Sequence, residues 1–351
     1  MNDDTLFLPG LSPVERHDIH ARFDGGALSS DGGVLLLREI ERDMNFSGML
    51  ASCLHDARDP GRTIHDHTTM IRERMFAIAC GYEDCDDLDA LRHDPAFRIA
   101  CERLPDSGPA LASQPTLSRL ENTPSPFDLA RDLARMGLKL IDLFCASFRA
   151  APGDIVLDID DTPDRTYGDQ QLSLFNTHAH GYCFKPIHIY DAATGRPVCF
   201  LLRPGKRPSG AEAATVLRHV IRRIRRNWPG VTITVRGDGH YGTPEVMDLL
   251  EQQGCFYILG LPGNNRLKTL SAPWSKDVAT RWRRASKDKL RRFYQTRYGA
   301  RSWSKERLVI ARVEASRQGT DVRFIVTNLG GRGKHLYEKV YCARGNMENL
   351  I

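Results

Sequence analysis

Three acidic residues that lie far apart in the sequence have the surroundings of a metal-dependent catalytic site. Asp160 and Asp238 each close an apolar run with the composition of a β-strand, and Glu348 lies in a segment with helical spacing. Two carboxylates on strands and one on a helix are the minimum set for holding a pair of divalent metal ions over a phosphodiester. Mg²⁺ prefers oxygen ligands and retains several waters, so few protein ligands suffice. The pattern predicts an enzyme that cleaves and transfers nucleic-acid strands.

The third carboxylate belongs to a motif of its own. Tyr341, Arg344 and Glu348 follow one another in a three-then-four step. A helix would therefore place all three side chains on one face. Arg344 could hold a phosphate through two parallel hydrogen bonds, or it could orient the glutamate.

The first strand carries a second acidic residue two positions earlier. Strand alternation puts Asp158 and Asp160 on one face and Ile159 on the other. Two like charges so close repel each other unless a cation offsets them, and a metal ion is the economical solution. Asp160 is the predicted ligand because it is nearer the strand end. Asp158 would support it or point to a helix N-terminus, and an ordinary acidic strand end remains the alternative.

The second aspartate stands in the glycine-flanked turn from Arg236 to Gly242. Glycines let the chain turn sharply there and expose Asp238 at the carboxyl edge of a sheet. The alternative is an ordinary β-α turn with a capping aspartate.

Basic residues near these motifs are candidate contacts to a DNA backbone. Arg203 and Lys206 lie on a turn after a strand, and Arg222 and Arg226 stand four apart on one face of a long predicted helix. Such contacts would make binding sensitive to salt, because they release counterions from the phosphates. A solvated helix surface is the alternative for the last two.

Three further residues are candidate DNA contacts. Arg119 lies in the capped helix that follows Ser113, where it could reach a DNA backbone or a base; the alternative is a plain helix in a bundle. Trp282 and Trp303 lie among arginines, which suits stacking on a base or on an unpaired nucleotide at a cut end. Packing in a core would explain at least one of the tryptophans equally well.

The periodicity of the chain predicts a helical region followed by a mixed sheet. Apolar residues recur at helical spacing through residues 1–150, and strand-like runs alternate with helices from about residue 152. This α/β order, with helices on the faces of a mixed sheet, is the one used by ribonuclease-H-like folds. The predicted elements are strands Ile155–Asp160, Tyr182–Tyr190 and Pro197–Leu202, helix Ala211–Asn227, strand Val231–Val235, helix Pro244–Gln253 and strand Cys255–Leu261.

The alternation breaks after residue 263. Residues 264–330 begin with a basic, tryptophan-bearing stretch and continue with β-rich runs at Arg291–Tyr298, Glu306–Glu314 and Val322–Asn328. We therefore predict four parts: a helical DNA-binding region at 1–150, the first part of the catalytic core at 151–263, a β-rich basic insertion at 264–330, and a terminal core helix at 331–351.

Charge is distributed unevenly along the chain. Residues 1–130 contain 12 basic against 23 acidic residues, whereas residues 263–317 contain 16 basic against 4 acidic. The basic segment is a candidate surface for a phosphate backbone, with a solvated face as the alternative.

Bulk composition excludes several classes of protein. No apolar run approaches the roughly 20 residues that a membrane helix needs. The N-terminus is acidic, where a secretory signal would be basic and apolar. Nine scattered cysteines indicate reduced thiols rather than a disulfide framework. We therefore expect a cytoplasmic, nucleoid-associated protein without a membrane partner.

The chain resembles the DDE transposases of bacterial insertion sequences, in the branch defined by a Tyr-Arg-Glu-Lys signature. The matching residues are Asp160 with Thr162, Asp238 in Arg-Gly-Asp-Gly, and Tyr341, Arg344 and Glu348. The resemblance covers about residues 25 to 351. It implies a ribonuclease-H-like core, two Mg²⁺ or Mn²⁺ ions, recognition of terminal inverted repeats and target DNA, a homodimer bridging two transposon ends, and cut-and-paste transposition.

One feature departs from that signature. Its lysine would follow Glu348 further along the same helix, beyond Ile351. The expectation is therefore a chain that is truncated, or a partial sequence, with weakened cleavage. The alternatives are an inactive DNA-binding derivative of a transposase and a ribonuclease-H-like nuclease, although the latter has little need for the insertion.

Overall fold

The chain divides into two units, Met1–Lys139 and Leu140–Ile351. A computed structural model describes residues 6–8, 10–22, 25–122, 125–285 and 287–350, with the backbone alone for Leu6, Phe7 and Glu348.

Helices dominate the first unit. Aspartate side chains begin two of them: Asp66 accepts a hydrogen bond from the Thr69 amide, and Asp94 accepts one from the Phe97 amide. One two-stranded ladder pairs β1 (Leu6–Phe7) with β2 (His20–Ala21). The helices are α1 (Val34–Met44), α2 (Phe46–Ala51), α3 (His67–Ala79), α4 (Leu88–Leu91), α5 (Pro95–Ala100), α6 (Gln114–Asn122) and α7 (Pro126–Ala146), with a 3₁₀ turn at Pro60–Arg62; α7 runs past the unit boundary.

A buried glutamate lies in the apolar core of this unit. Glu73 on α3 has no solvent exposure, and the buried apolar core of the same unit includes Met70, Phe97 and Leu117. Its Oε2 accepts a hydrogen bond of 3.0 Å from the backbone amide of Ala112, while Oε1 has no hydrogen-bond partner among the described residues. Burial raises the pKa of Glu73 to about 8, against the opposing effect of the Ala112 amide.

The second unit contains a mixed sheet with helices. Its strands are β3 (Asp154–Asp161), β4 (Asp164–Arg165), β5 (Leu174–Asn176), β6 (Gly181–Phe184), β7 (Ile187–Asp191), β8 (Pro197–Leu201), β9 (Thr232–Gly237), β10 (Phe256–Leu261), β11 (Lys289–Tyr298), β12 (Arg307–Ser316) and β13 (Gly319–Thr327). Its helices are α8 (Gly210–Asn227), α9 (Pro244–Gln252) and α10 (Asn265–Arg283). After the single helical turn α11 (Gly333–His335), the chain continues in helical turns to residue 349; we name residues 333–349 the C-terminal helical segment.

Eight strands form the main sheet in the order β11-β12-β13-β10-β9-β3-β7-β8. The central strands β3, β9 and β10 run parallel, while β7 and β8 continue antiparallel from β3. On the other side β13 pairs antiparallel with β10. The basic, β-rich run of residues 289–327 therefore extends the main sheet.

The predicted strand Tyr182–Tyr190 is two strands in the structure. β6 belongs to a separate three-stranded sheet with β4 and β5, and β7 belongs to the main sheet. The break falls at Lys185 and Pro186, because proline has no amide to donate to a ladder. The other predicted strands and helices of the second unit occur within a few residues of their expected bounds.

Local chemistry explains the long helix α8. Ser209 and Glu212 form a reciprocal capping box at its start. Apolar residues then recur on one buried face, which includes Leu217, Ile221 and Ile224.

Among the described residues, no helix has the length and apolar character to cross a membrane.

The buried Glu73 generates a prediction about stability and pH. Its pKa in the folded protein, about 8, lies above the usual value of 4.5. The folded state therefore binds this proton more tightly than the unfolded state does. The stabilisation is fully present below about pH 4.5 and is lost as the pH rises through about 8. Each unit of pKa difference corresponds to about 1.4 kcal/mol.

We expect Glu73→Gln to remove this dependence, because the amide keeps an acceptor for Ala112 and does not titrate. Urea unfolding of the full chain at pH 5.5 and 8.5 measures the effect, with the exposed Glu83→Gln as a control. Wild type and Glu83→Gln should lose stability between these pH values, whereas Glu73→Gln should lose less. Parallel losses in all three proteins would contradict the assignment.

Candidate active site

The parallel pairing of β3 with β9 brings Asp160 and Asp238 to the same end of the sheet. In this register Asp158 faces Arg236 and Ile159 faces Gly237. Asp160 is the next residue on β3, where it still pairs with β7, and Asp238 is the first residue after β9, so the two residues lie side by side. Neighbouring strands lie about 4.8 Å apart. The two carboxylates are therefore close in space although they are far apart in the sequence.

Asp160 sits in a crowded electrostatic environment. Its Oδ1 accepts a hydrogen bond of 2.9 Å from the Asp161 amide, and its Oδ2 accepts one of 2.7 Å from Nη1 of Arg344. Burial raises the pKa of Asp160, and the charges of Asp238 and Asp161 raise it further, while Arg344 opposes the shift. A cation near Asp160 and Asp238 would relieve this repulsion.

Close packing around Asp238 requires glycine at two positions. The amide of His240 donates to Asp238 Oδ1 at 2.8 Å, which closes the turn. A Cβ on Gly260 of β10 would lie 2.8 Å from the Asp238 carbonyl carbon and 2.8 Å from the Tyr341 hydroxyl. A Cβ on Gly242 would collide with the Gly260 carbonyl. The turn and Tyr341 thus both rest directly on β10.

Asp161 anchors the same turn from the other face of β3. It forms a buried ion pair with Lys185 and accepts hydrogen bonds from the Tyr241 hydroxyl at 3.0 Å and from Nδ1 of His240 at 3.2 Å. Burial alone would raise the pKa of Asp161, but hydrogen bonds from His240 and Lys185 lower it to about 2. The role of Asp161 was not predicted from the sequence. Strand alternation could have indicated it, because it places Asp161 on the face of β3 opposite to Asp160.

Asp158 forms a buried ion pair with its cross-strand neighbour Arg236. Nε and Nη2 of Arg236 each lie 2.6 Å from an Asp158 oxygen, and Nη1 donates to the Val340 carbonyl at 2.9 Å. Burial raises the pKa of Asp158, and the Arg236 guanidinium opposes that shift. Of the two roles expected for Asp158, support of the site agrees with this geometry.

The C-terminal helical segment is less regular than the expected α-helix. It winds widely as a π-helix over Leu336–Tyr341 and tightly as a 3₁₀-helix over Cys342–Asn349. Tyr341 hydrogen-bonds with Arg344, and burial raises the pKa of Tyr341. The structure thus brings Tyr341 and Arg344 together with Asp160 and Asp238.

Glu348 differs from the other members of this group. Its backbone lies in the 3₁₀ stretch, and its side chain lies outside the described part of the structure. With three residues per turn, position 348 is rotated by about 120° from position 344. The expected single face through Tyr341, Arg344 and Glu348 therefore does not hold for this backbone, because the tighter winding changes the period.

The side chains at this site fit a hard divalent cation in their chemistry. Asp160 and Asp238 offer only oxygen donors, as Mg²⁺ prefers. Among the described residues, no three His, Cys, Asp or Glu side chains form a group that could hold a metal ion.

The predicted DNA contacts fall into two groups. Four basic residues are exposed at the surface: Arg119 on α6 in the first unit, and Lys206, Arg222 and Arg226 in the second. Arg119 also contacts the Thr116 hydroxyl at 3.2 Å. These four side chains have the accessibility that a phosphate contact requires.

Arg203 does not have that accessibility, in contrast to the prediction. It is only 4% exposed, and Nη2 lies 2.6 Å from Glu212 Oε1. Its Nη1 donates to the carbonyls of Lys185 and Lys206 at 3.3 Å each. The guanidinium fastens the turn to the start of α8 instead of facing solvent.

Both predicted stacking tryptophans also pack within the protein. Trp282 donates from Nε1 to the Lys287 carbonyl at 3.0 Å and packs beside Val278. Trp303 meets the Tyr298 ring edge to face at 5.4 Å, and the Arg307 guanidinium lies 5.5 Å from its ring centre. These contacts agree with the packing alternative for both tryptophans, and each side chain also remains partly exposed.

Comparison with solved structures finds DNA-bound transposases of low similarity. This chain is similar to the piggyBac transposase in a synaptic complex with hairpin DNA, at 12% identity and a TM-score of 0.43, over 90% of this chain and 67% of that chain. It is also similar to the Mos1 transposase in a paired-end complex with the left transposon end, at 13% identity and a TM-score of 0.23, over 62% of this chain and 63% of that one. The Mos1 strand transfer complex matches at 12% identity and a TM-score of 0.21, over 73% of this chain and 84% of that one.

No curated protein sequence matches this chain. A family model described as transposase DDE domain group 1 matches residues 11–351. The match covers nearly the whole chain and confirms the resemblance to DDE transposases. The chain therefore belongs to the transposase family that carries the group 1 DDE domain.

Proposed function

We propose that this protein is an active DDE transposase of a bacterial insertion sequence, in the branch with the Tyr-Arg-Glu-Lys signature. It would cleave DNA at transposon ends and join those ends to target DNA by a cut-and-paste route. The observation that carries the proposal is the side-by-side placement of Asp160 and Asp238, with Arg344 held 2.7 Å from Asp160.

The strand order supports a ribonuclease-H-like catalytic core. Three antiparallel strands, β3, β7 and β8, are followed by the parallel strands β9 and β10, in the spatial order β10-β9-β3-β7-β8. Asp160 lies on the central strand β3, and Asp238 directly follows its neighbour β9. In this proposal residues 151–263 and 331–351 form the core, 264–330 the basic insertion, and 1–150 a DNA-binding region.

Asp160, Asp238 and Glu348 are the proposed ligands for two Mg²⁺ or Mn²⁺ ions. When bound, such ions activate the attacking oxygen and stabilise the leaving oxygen of the phosphodiester. The chain supplies the positions of the carboxylates, which are fixed by the strand register and by the turn that Asp161 anchors. Arg344 neutralises Asp160 here and is placed to contact a DNA phosphate.

The proposed partner is double-stranded DNA, as terminal inverted repeats and as target, bound by a homodimer in a synaptic complex. Exposed basic residues support this partner on both units: Arg119 on the first, and Lys206, Arg222 and Arg226 on the second.

Removing one carboxylate should separate cleavage from binding. We expect Asp160→Asn and Asp238→Asn, and also Glu348→Gln, each to reduce nicking of inverted-repeat DNA at least about 1,000-fold, because an amide is a poor ligand for a hard cation. End binding, measured by fluorescence anisotropy, should change by less than about three-fold, since phosphate contacts elsewhere supply most of the affinity.

Asp154→Asn is the matched control, because Asp154 is exposed at the opposite end of the same strand. It should nick at the wild-type rate. Wild-type nicking by either Asp160→Asn or Asp238→Asn would reject the proposed site. Metal-dependent cutting that ignores the terminal sequence would favour a nuclease over a transposase.

The exposed stripe on α8 should contribute to DNA binding through charge. We expect Arg222→Gln with Arg226→Gln to reduce the salt slope of log K by about 2, because each phosphate contact contributes about 0.9. The measurement is DNA affinity between 50 and 200 mM salt.

Arg223→Gln with Arg225→Gln is a control with the same charge change on the same helix. These two guanidiniums are already engaged, by Asp142 and by the Gln253 carbonyl, so the slope should hardly change. An unchanged slope in the first variant, or an equal change in both, would remove the Arg222–Arg226 stripe from the DNA interface.

A further inference from the structure

One arginine connects the three elements whose relative positions matter for the proposed chemistry: β3, β9 and the C-terminal helical segment. Arg236 on β9 binds the Asp158 carboxylate on β3 through two hydrogen bonds of 2.6 Å, and it donates to the Val340 carbonyl at 2.9 Å. Val340 immediately precedes Tyr341 in the C-terminal helical segment. A single guanidinium therefore contacts both carboxylate-bearing strands and the segment that carries the third motif.

The position of this pair relative to the carboxylates follows from strand geometry. Asp158 stands two residues before Asp160 on β3, and its partner Arg236 on β9 stands two residues before Asp238, which directly follows that strand. Residues two apart on a strand face the same side of the sheet. The ion pair therefore lies next to the two carboxylates. The third donor of Arg236, Nη1, forms a hydrogen bond with the Val340 carbonyl.

The C-terminal helical segment is fastened to β3 at two points. Arg236 connects Asp158 to Val340, and Arg344 contacts Asp160 directly at 2.7 Å. The first connection uses a main-chain carbonyl, so it holds the backbone of the segment whatever the side chains do. If Arg344 moves to contact a DNA phosphate, it gives up its contact with Asp160 and no longer holds the segment. Arg236 is only 6% exposed, so it does not have to serve both purposes.

The geometry also explains why an arginine is needed. The planar guanidinium presents donors in fixed directions, so two can bind one carboxylate while a third points elsewhere. A lysine ammonium keeps the charge but cannot reproduce that fork. Both partners are buried, with side-chain exposures of 8% and 3%.

We infer that Arg236, held by Asp158, is a positioning residue that sets the C-terminal helical segment against the two carboxylates. It acts through Val340 on Tyr341, Arg344 and Glu348, and it touches neither metal nor DNA. This inference rests on the proposed function for its effect on catalysis, but its structural part stands apart from it. An error of about 1 Å in the placement of a catalytic group can reduce a rate about 100-fold.

Arg236→Lys is the central variant, and Arg223→Lys is its matched control. Arg223 also binds an aspartate, Asp142, through Nε at 2.6 Å and through Nη2, and it lies in the same unit. That pair joins α8 to the end of α7 and contacts none of the candidate site residues. Both variants keep the charge and lose the fork, so a general loss of stability should appear in both.

Hydrogen–deuterium exchange of the DNA-free and metal-free protein tests the positioning directly. We expect amides of residues 336–349 to exchange at least about five-fold faster in Arg236→Lys than in wild type or Arg223→Lys, because the Val340 carbonyl has lost its hydrogen bond to Arg236. Equal exchange of residues 336–349 in all three proteins would overturn the inference. This outcome does not depend on whether the protein cleaves DNA.

Nicking of inverted-repeat DNA tests the consequence for catalysis. We expect Arg236→Lys to nick at least about 10-fold more slowly and to need more Mg²⁺ for half-maximal rate, with end affinity within about two-fold of wild type. Arg223→Lys should keep the wild-type metal requirement. An Arg236→Lys variant with wild-type rate and metal requirement would overturn the catalytic part.

The proposed function and this inference fail in different ways. If wild type nicks no DNA with Mg²⁺ or Mn²⁺, the proposed function fails, and exchange of residues 336–349 still decides the anchor. If Arg236→Lys does not fold, the double variant Arg236→Gln with Asp158→Asn replaces it, because the neutral amides avoid an unpaired buried charge. The same faster exchange of residues 336–349 is expected there, and wild-type exchange would again overturn the inference.

Discussion

The parallel register of β3 against β9 is the constraint on which the candidate site depends. It places Asp158 opposite Arg236 and makes Asp160 on β3 a neighbour of Asp238, the first residue after β9. A slip of one residue in either strand would turn its side chains to the opposite face. The buried ion pair resists such a slip, because any other register would leave a charge without its partner in the interior. Register and ion pair therefore stabilise each other.

The two faces of β3 give chemically identical residues different properties. On one face Asp160 lies near Asp238, and burial raises its pKa. On the other face Asp161 is surrounded by Lys185, His240 and Tyr241, and its pKa falls to about 2. Asp161 is thus a firmly ionised anchor, whereas Asp160 carries the repulsion that a cation would relieve. Strand alternation places these two neighbouring aspartates on opposite faces of β3, and their surroundings therefore differ.

Local patterns in the sequence predicted most of the second unit, and long-range packing determined the rest. Alternation and capping located strands such as β3 and β9 and the helix α8, because those signals lie within a few neighbouring residues. The burial of Arg203 was not predictable in this way, since it depends on Glu212 and on the carbonyl of Lys185, which lies between β6 and β7. The C-terminal helical segment likewise departs from the α-helix that the three-then-four step of its motif predicts. Tertiary contacts such as the hydrogen bond from Arg236 to the Val340 carbonyl can override such a local preference.

The continuity of the eight-stranded sheet has a geometric consequence. β11 is an outer strand and carries exposed Lys289, Arg292 and Arg297. Charged side chains on an outer strand discourage edge-to-edge pairing with other sheets, which opposes aggregation through that edge. Four strand spacings separate β11 from β9, so the cationic rim lies about 19 Å from the strand that leads to Asp238. The strands between them form one continuous hydrogen-bonded ladder, so this separation is set by the strand spacing alone.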